Sequence, residues 1–267
     1  MSAAVEDILA AVEAVAPSHL AEDWDNVGLQ LGSRLWPVAR VMTALDPTPG
    51  VIREVIARQG NVLVTHHPLI FNPLRTLDFD APIGRTLEAL LVNRIAVIAA
   101  HTNLDAVRGG VNDVLASQLE MDDVAILQPS ERDASCGLGR IGRIPTPITL
   151  GELAAGIKNR MGLPHIRFAG SPELKVRRVA LCSGSGSSMM GAFLASEAEV
   201  FITGDVRYHE AREIEAHGRG IVDVGHFESE HIILDVLTDK LTEQMVARQL
   251  DVSVEACVGE RAAFQAI

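Results

Sequence analysis

The chain lacks any cysteine pattern. Its three cysteines, Cys136, Cys182 and Cys257, lie far apart, and none sits in a C-x-x-C. That excludes a disulfide framework and points to a reducing compartment. An excess of basic charge is missing too. The 23 Lys and Arg against 35 Asp and Glu leave a net charge of −12. A nucleic-acid surface wants a basic patch, so nucleic acid is not an expected partner. An acidic chain can still bind anions, through a local device such as a metal or a helix N-terminus. No apolar run approaches ~18 residues, so no membrane span is expected. Residues 1–15 carry Glu6 and Glu13 and neither Lys nor Arg, unlike a signal or transit peptide. The expected location is cytoplasmic. There is no repeat at solenoid period and no low-complexity segment. Aromatic residues make up only 4%, with 48% hydrophobic and 22% charged, an ordinary globular composition. At 267 residues the chain has room for two domains, or one large one, with a core that needs no staples.

Hydrophobic periodicity predicts alternating elements. Val5, Ile8, Leu9, Val12 and Val15 have helical spacing, and Pro17 ends that helix. Asp25-Asn26 followed by Gly28 is turn chemistry leading into a short strand. Strands follow over 38–45, 62–65 and 95–100, separated by helices opening at Thr48 or Pro49 and at Pro82. Another helix spans 109–119. This order favours a largely parallel sheet. Between 128 and 175 the pattern weakens under Pro129, Pro145, Pro147, Pro164 and Pro172. Strands over 138–144 and 165–169, with a helix over 149–161, are expected there. Strong signal returns with strands over 176–182, 200–203 and 221–224, a long helix over 232–250 and a last strand over 251–258. The boundaries read as a first α/β lobe of 1–127 plus 232–267 and a second of 128–231.

Polar residues cluster at the ends of these strands. Val62-Leu63-Val64-Thr65 runs into His66-His67-Pro68, and Pro68 leaves His67 little freedom. The strand over 95–100 runs into His101-Thr102-Asn103-Leu104-Asp105. The strand over 200–203 is followed by Gly204-Asp205 and then His209, and the one over 221–224 by Gly225-His226, with Glu230 four residues on. Ligands in α/β folds bind at the carboxyl ends of strands. If a helix begins at His226, that histidine and Glu230 share a face of its first turn. With His66, His67 and Asp105 they make three imidazoles and two carboxylates, more than one tetrahedral ion needs. The set suits two ions ~3.5–4 Å apart sharing a carboxylate. Nitrogen and oxygen donors without thiolate favour zinc, iron, manganese, nickel or cobalt, without choosing among them.

In this order the segments Trp24-Asp25-Asn26-Val27-Gly28-Leu29-Gln30, Ala44-Leu45-Asp46-Pro47-Thr48, Thr65-His66-His67-Pro68-Leu69-Ile70-Phe71, His101-Thr102-Asn103-Leu104-Asp105, Gly184-Ser185-Gly186, Thr203-Gly204-Asp205 with Tyr208-His209, and Gly225-His226 with Glu230 resemble the Nif-three-like family, whose members are also called GTP cyclohydrolase 1 type 2 homologs. The resemblance covers nearly the whole chain except about 128–175. It implies a two-lobed α/β fold, mixed sheets flanked by helices, with a dinuclear metal site between the lobes. It also implies ring-shaped homo-hexamers. The family's ligand positions fall on His66, His67, Asp105, His226 and Glu230, with Glu230 as the bridge. At this length the chain resembles the short form, without an inserted domain. Phe227 and Glu228 depart from the family pattern, at positions that are not ligands.

Further residues carry alternatives. His101 orients Asp105, walls the site or shuttles protons, the orienting role being the expected one. His209 is a general acid/base or a surface histidine, and Asp205 an N-cap or a substrate-binding group. Asn26, Ser185 and Gly186 are candidates for contacting substrate or an anion. Equally, the Ser183–Ser188 loop is a plain strand-to-helix turn, since its spacing is not that of a Walker loop. The implied activity is metal-dependent hydrolysis of a nucleotide or phosphate-bearing small molecule. The alternatives are a metal-handling or regulatory ring without catalysis, and a scaffold with structural metals. Polar groups in surplus of the ligands favour an open, reactive site over a closed structural one.

Overall fold

The computed structural model describes residues 3–264. They form two compact units. The first runs to Leu104 and resumes over Ile233–Arg261, and the second comprises Asp105–Ile232 with residues 262–264. Each is built on its own mixed sheet flanked by helices, in keeping with the expected fold class.

The first unit's sheet has five strands, in the order Ser253–Ala256, Arg40–Ala44, Val62–Thr65, Ala96–Ala99 and Gly28–Leu31. The first four are parallel, and Gly28–Leu31 pairs antiparallel at the edge. The central strands are buried nearly throughout, which is why they read as unbroken apolar runs. Alternate residues face two layers. Met42, Leu63 and Val97 pack with Val51, Ile52 and Val55 of the helix Pro49–Ala57 and with Leu90 of the helix Pro82–Val92. Pro49 sits in the first turn of its helix, and Thr48 Oγ1 caps that turn by accepting from the Val51 amide at 3.2 Å. On the other face, Thr43 Oγ1 meets Thr238 Oγ1 of the helix Ile233–Ala247 at 2.7 Å. That helix packs in turn on Val5–Val15.

The second unit's sheet has six strands, in the order Asp122–Pro129, Gly137–Thr149, Lys175–Ser185, Val200–Gly204, Gly220–Asp223 and Arg167–Ala169. Only Lys175–Ser185, Val200–Gly204 and Gly220–Asp223 run parallel to one another, and the remaining pairs are antiparallel. One face packs under the helices Val111–Gln118 and Leu150–Arg160, through Leu115, Leu150, Leu153 and Ile157. The other packs under Met190–Ala195 and Tyr208–Ala216, through Phe193 and Ile214. Thr149 and Glu152 form a reciprocal capping box that starts Leu150–Arg160. Arg140, 2% exposed, is held by both carboxylate oxygens of Asp113 and by the carbonyls of Gly137 and Gly139 at 2.9 and 2.8 Å.

Three details differ from the sequence expectation. The first unit ends at Leu104 rather than 127, because Val111–Gln118 buries Leu115 in the second unit's core. The strand Asp122–Pro129 was not anticipated. It is an edge strand with a mostly exposed surface and a left-handed Asp123 (φ 51°) that interrupts its register, so it shows no apolar alternation. The strand Gly137–Thr149 continues through Pro145 and Pro147, because both fall in the irregular stretch between the Arg143 and Ile148 pairings, where no ladder donor is required. Among the described residues no helix is long and apolar enough to cross a membrane.

Candidate metal centre

In the first unit, three imidazoles gather at the carboxyl ends of two parallel strands. The ladder carries past Thr65: the His66 amide donates to Ala44 O at 3.1 Å and the His67 amide to Leu45 O at 2.9 Å. Thr65 Oγ1 closes the turn by donating to His67 O at 2.7 Å. His66 is fully buried. One ring nitrogen from each of His66, His67 and His101 lies within 4.8 Å of the others, a grouping able to hold a metal ion.

The Nδ1 partners decide which nitrogen faces that space. His66 Nδ1 lies 3.0 Å from the Ala100 carbonyl, His67 Nδ1 2.8 Å from Asp46 Oδ1, and His101 Nδ1 2.9 Å from Asp25 Oδ1. Carbonyl and carboxylate oxygens can only accept, so each Nδ1 carries a proton, which in the neutral ring leaves the lone pair on Nε2. Metal-binding histidines are held in this manner by an oxygen behind the ring. Asp25 is itself locked in place: its side chain is fully buried and also accepts from the Asn26 and Thr102 amides and the Thr102 hydroxyl. Burial alone would raise its pKa, but the bonds from His101 and Thr102 outweigh it and hold the carboxyl down at about 2. Trp24 and Phe71 wall the His101 ring at centroid distances of 6.1 and 6.3 Å.

The second unit presents its donors differently. Gly225 (φ 91°) ends the strand's approach, and the one-turn helix His226–Glu230 begins immediately. Its i, i+4 geometry brings His226 Nε2 to 3.0 Å from Glu230 Oε2, with Glu230 buried. His226 Nδ1 donates to Asp205 Oδ2 at 2.7 Å. The imidazole is thus bracketed by two carboxylates, and the Nε2–Oε2 approach calls for a cation there, either a second ring proton or a metal ion. Asp205 reaches His226 from a left-handed backbone (φ 54°), a strained conformation of the kind that clusters at functional sites. Gly184 supplies room. It sits at φ 59°, and a Cβ there would fall 2.0 Å from Glu230 Oε1 and 3.3 Å from His226 Nε2. Asp105, on the short helix Thr102–Ala106, accepts from Ser183 Oγ at 3.3 Å. Asn112 ties the same segment through Asp105 O at 3.1 Å and the Ser183 amide at 3.0 Å. Cys182, buried nearby, has its thiol pushed up by burial and by Asp105 and Glu230.

Other residues singled out in the sequence have partners of their own. His101 is bonded to Asp25, and the Asp105 side chain takes its bond from Ser183. His209 is exposed, with its ring edge-on to Tyr208 at 5.5 Å. Asn26 Nδ2 bonds the Ile70 carbonyl at 2.6 Å and pins the loop after Pro68. The Gly184 and Gly186 amides donate to Ser229 Oγ and Thr203 Oγ1, both at 2.9 Å, so neither is directed at an anion. Ser185 is exposed and meets Ser187 Oγ at 3.5 Å. Sequence reasoning missed Asp25 and Asp46 as partners of the imidazoles. Each stands in a turn or strand-end motif, and their pairing with His101 and His67 is long-range.

The sequence profile of the Duf34/NIF3 (NGG1p interacting factor 3) family matches residues 3–261. The chain belongs to the Duf34/NIF3 family. A relative from Clostridium perfringens named GTP cyclohydrolase 1 type 2 homolog is 34% identical over 258 residues, 97% of each chain. One of the same name from Streptomyces coelicolor is 36% identical over 231 residues, 85% of this chain and 81% of that one. Among solved structures, a Bacillus cereus protein related to NIF3 superposes with a TM-score of 0.95 at 26% identity, over 100% of both chains. Within this Duf34/NIF3 chain, the donor chemistry fits a divalent cation: imidazole Nε2 atoms and carboxylates, with no thiolate.

Proposed function

We propose that this Duf34/NIF3 protein binds two divalent metal ions through His66, His67, Asp105, His226 and Glu230, and is a metal-dependent hydrolase of a nucleotide or phosphate-bearing small molecule. One observation carries the reading: the Nδ1 atoms of His66, His67 and His226 are each tied to an acceptor oxygen, so the Nε2 lone pairs are pre-set as ligands. Bound ions would supply Lewis-acid chemistry, drawing the pKa of a water from ~15.7 toward ~7 and neutralising charge on the group attacked.

The chain's own residues do the rest. Asp46 and Asp205 orient His67 and His226. Glu230, with two oxygens on one buried carboxylate, suits a bridge. His101, its Nδ1 anchored by Asp25, stands beside His66 and His67 as a wall of the site whose Nε2 can accept a hydrogen bond or a proton. The name GTP cyclohydrolase 1 type 2 homolog, borne by the relatives, supports a nucleotide among the candidate substrates. We propose a homo-hexamer on the family resemblance, checked by light scattering.

The test is elemental analysis after reconstitution with several divalent ions, followed by a turnover screen against nucleotides and phosphoesters. We expect two ions per chain, with Glu230→Gln losing more metal than His101→Gln. Metal at one ion or none, or full metal in Glu230→Gln, overturns the ligand assignment. Full metal without turnover on any substrate overturns the hydrolase reading alone.

A further inference from the structure

A cavity of about 250 Å3 opens in the second unit, outside the donor set. Its walls include Arg167 and Phe168 on the edge strand, Val206, Arg207 and Tyr208 entering the helix Tyr208–Ala216, and Asp223. It adjoins the metal-binding segment by direct chain continuity. Val206 follows Asp205, the partner of His226. Asp223 Oδ1 accepts from the Gly225 amide at 3.1 Å, one residue before His226.

The lining is unusual for this chain. Aromatic residues are scarce, yet the chain's single tyrosine, Tyr208, and Phe168 line one small cavity, 73% and 42% exposed. In a chain of net charge −12, two guanidinium groups share that rim. Arg167 is braced by Asp223 and Arg207 by Glu210 at 3.4 Å. A guanidinium has five donors, so one carboxylate partner leaves each with N–H groups to offer an anion. Ala169, Val206, Ala211 and Ile221 give an apolar floor. The volume lies below the ~300–1,000 Å3 of drug-sized pockets and suits one planar ring system with one charged substituent.

We infer that this cavity binds the substrate's planar heteroaromatic ring and its phosphate, as in a nucleoside monophosphate, with Tyr208 and Phe168 taking the ring face and Arg167 and Arg207 the phosphate. Aromatic rings stack on bases whatever their sequence, and arginine matches phosphate in a fork geometry. The inference deepens the hydrolase proposal, because it rests on that reading for which reaction the bound ring undergoes. Binding itself requires no metal.

The experiment therefore uses full-length protein stripped of metal. Calorimetric titration compares the four common ribonucleoside monophosphates, guanosine and inorganic phosphate against wild type, Tyr208→Ala, Phe168→Ala and Arg207→Gln. Wild type should bind a nucleoside monophosphate more tightly than guanosine or phosphate alone. Tyr208→Ala and Phe168→Ala should each weaken it at least about tenfold, one base stack. Arg207→Gln should reduce the preference for the phosphorylated ligand, leaving what Arg167 supplies. Metal content on reconstitution should match wild type in all three. No binding of any monophosphate, or equal binding by all variants, overturns the inference. So does loss of self-association in the aromatic variants without loss of ligand binding, which would give the patch to a second copy of the chain. Low metal content in a wild type that still binds nucleotide counts against the metal proposal alone.

Discussion

The two units hold their candidate metal donors by different constructions. In the first, His66 and His67 extend a buried parallel strand, and ladder bonds to Ala44 and Leu45 fix their backbone. Rigidity comes from the sheet, and each ring needs only one oxygen behind it. In the second, His226 and Glu230 sit on a single helical turn too short to be stable by itself. Their placement depends on the bends at Gly184 and Gly225 and on the strained Asp205. We expect donors at the carboxyl end of a central strand to tolerate change around them better than donors in a pocket shaped by glycine.

The sharpest way to break that comparison is Gly184→Ala. A β-carbon would both overlap Glu230 and occupy a left-handed backbone, so we expect a loss of about 3 kcal/mol in urea unfolding together with metal loss. Retention of wild-type stability would mean the second unit is as forgiving as the first. A comparable effect, away from either donor set, should follow Asp113→Ala, which strands the buried Arg140 charge and should cost about 3 kcal/mol. The same pair sets a pH dependence. Burial raises the Asp113 pKa, but the bond and charge of Arg140 outweigh it and leave it below its ordinary 3.8. A depressed folded pKa stabilises above the unfolded value and is lost as pH falls through the lower, folded one. Acid unfolding of wild type should therefore steepen below about pH 4, and that of Asp113→Asn should be flatter in the same window.

Asp46→Asn and Asp205→Asn probe the two constructions on equal terms. Each leaves an acceptor behind the ring but removes its charge, and each should weaken metal binding by about 10–100-fold. If sheet-held rings need their orienting group less, Asp46→Asn falls at the lower end and Asp205→Asn at the upper, measured by competition with a chelator. The smallest effect belongs to His209→Gln. The ring is exposed and touches only Tyr208 among its described contacts, so stability and metal content should stay within about 0.5 kcal/mol and measurement error of wild type.

The parts of this architecture legible in the sequence are those governed by short-range pattern. The parallel strands announce themselves as apolar runs because both faces are buried, and the His226–Glu230 spacing follows from helix geometry. Asp25 and Asp46 could not be read as imidazole partners, since each meets its histidine across 76 and 21 residues of chain. The Gly184-Ser185-Gly186 segment was legible as special but not for its reason. Its glycine makes room for a carboxylate 46 positions away, a steric demand that no local pattern encodes. The strand Asp122–Pro129 stayed hidden because its apolar residues, Val124 to Leu127, run consecutively between polar ends at a largely exposed edge and show no alternation.

The first unit's division into two stretches of chain bears on the order of assembly. Glu260 accepts from the Leu45 amide at 2.9 Å and the Asp46 amide at 2.9 Å, and Ser253–Ala256 closes the edge of the sheet beside Arg40–Ala44. During synthesis, Asp46 emerges more than 200 residues before the group that fixes its backbone. The second unit is contiguous over Asp105–Ile232 and can complete its own sheet in that interval, whereas the first must wait to close a long-range, slow contact. The shelf that holds Asp46 behind His67 is therefore among the last features to mature, complete only once translation has passed Glu260.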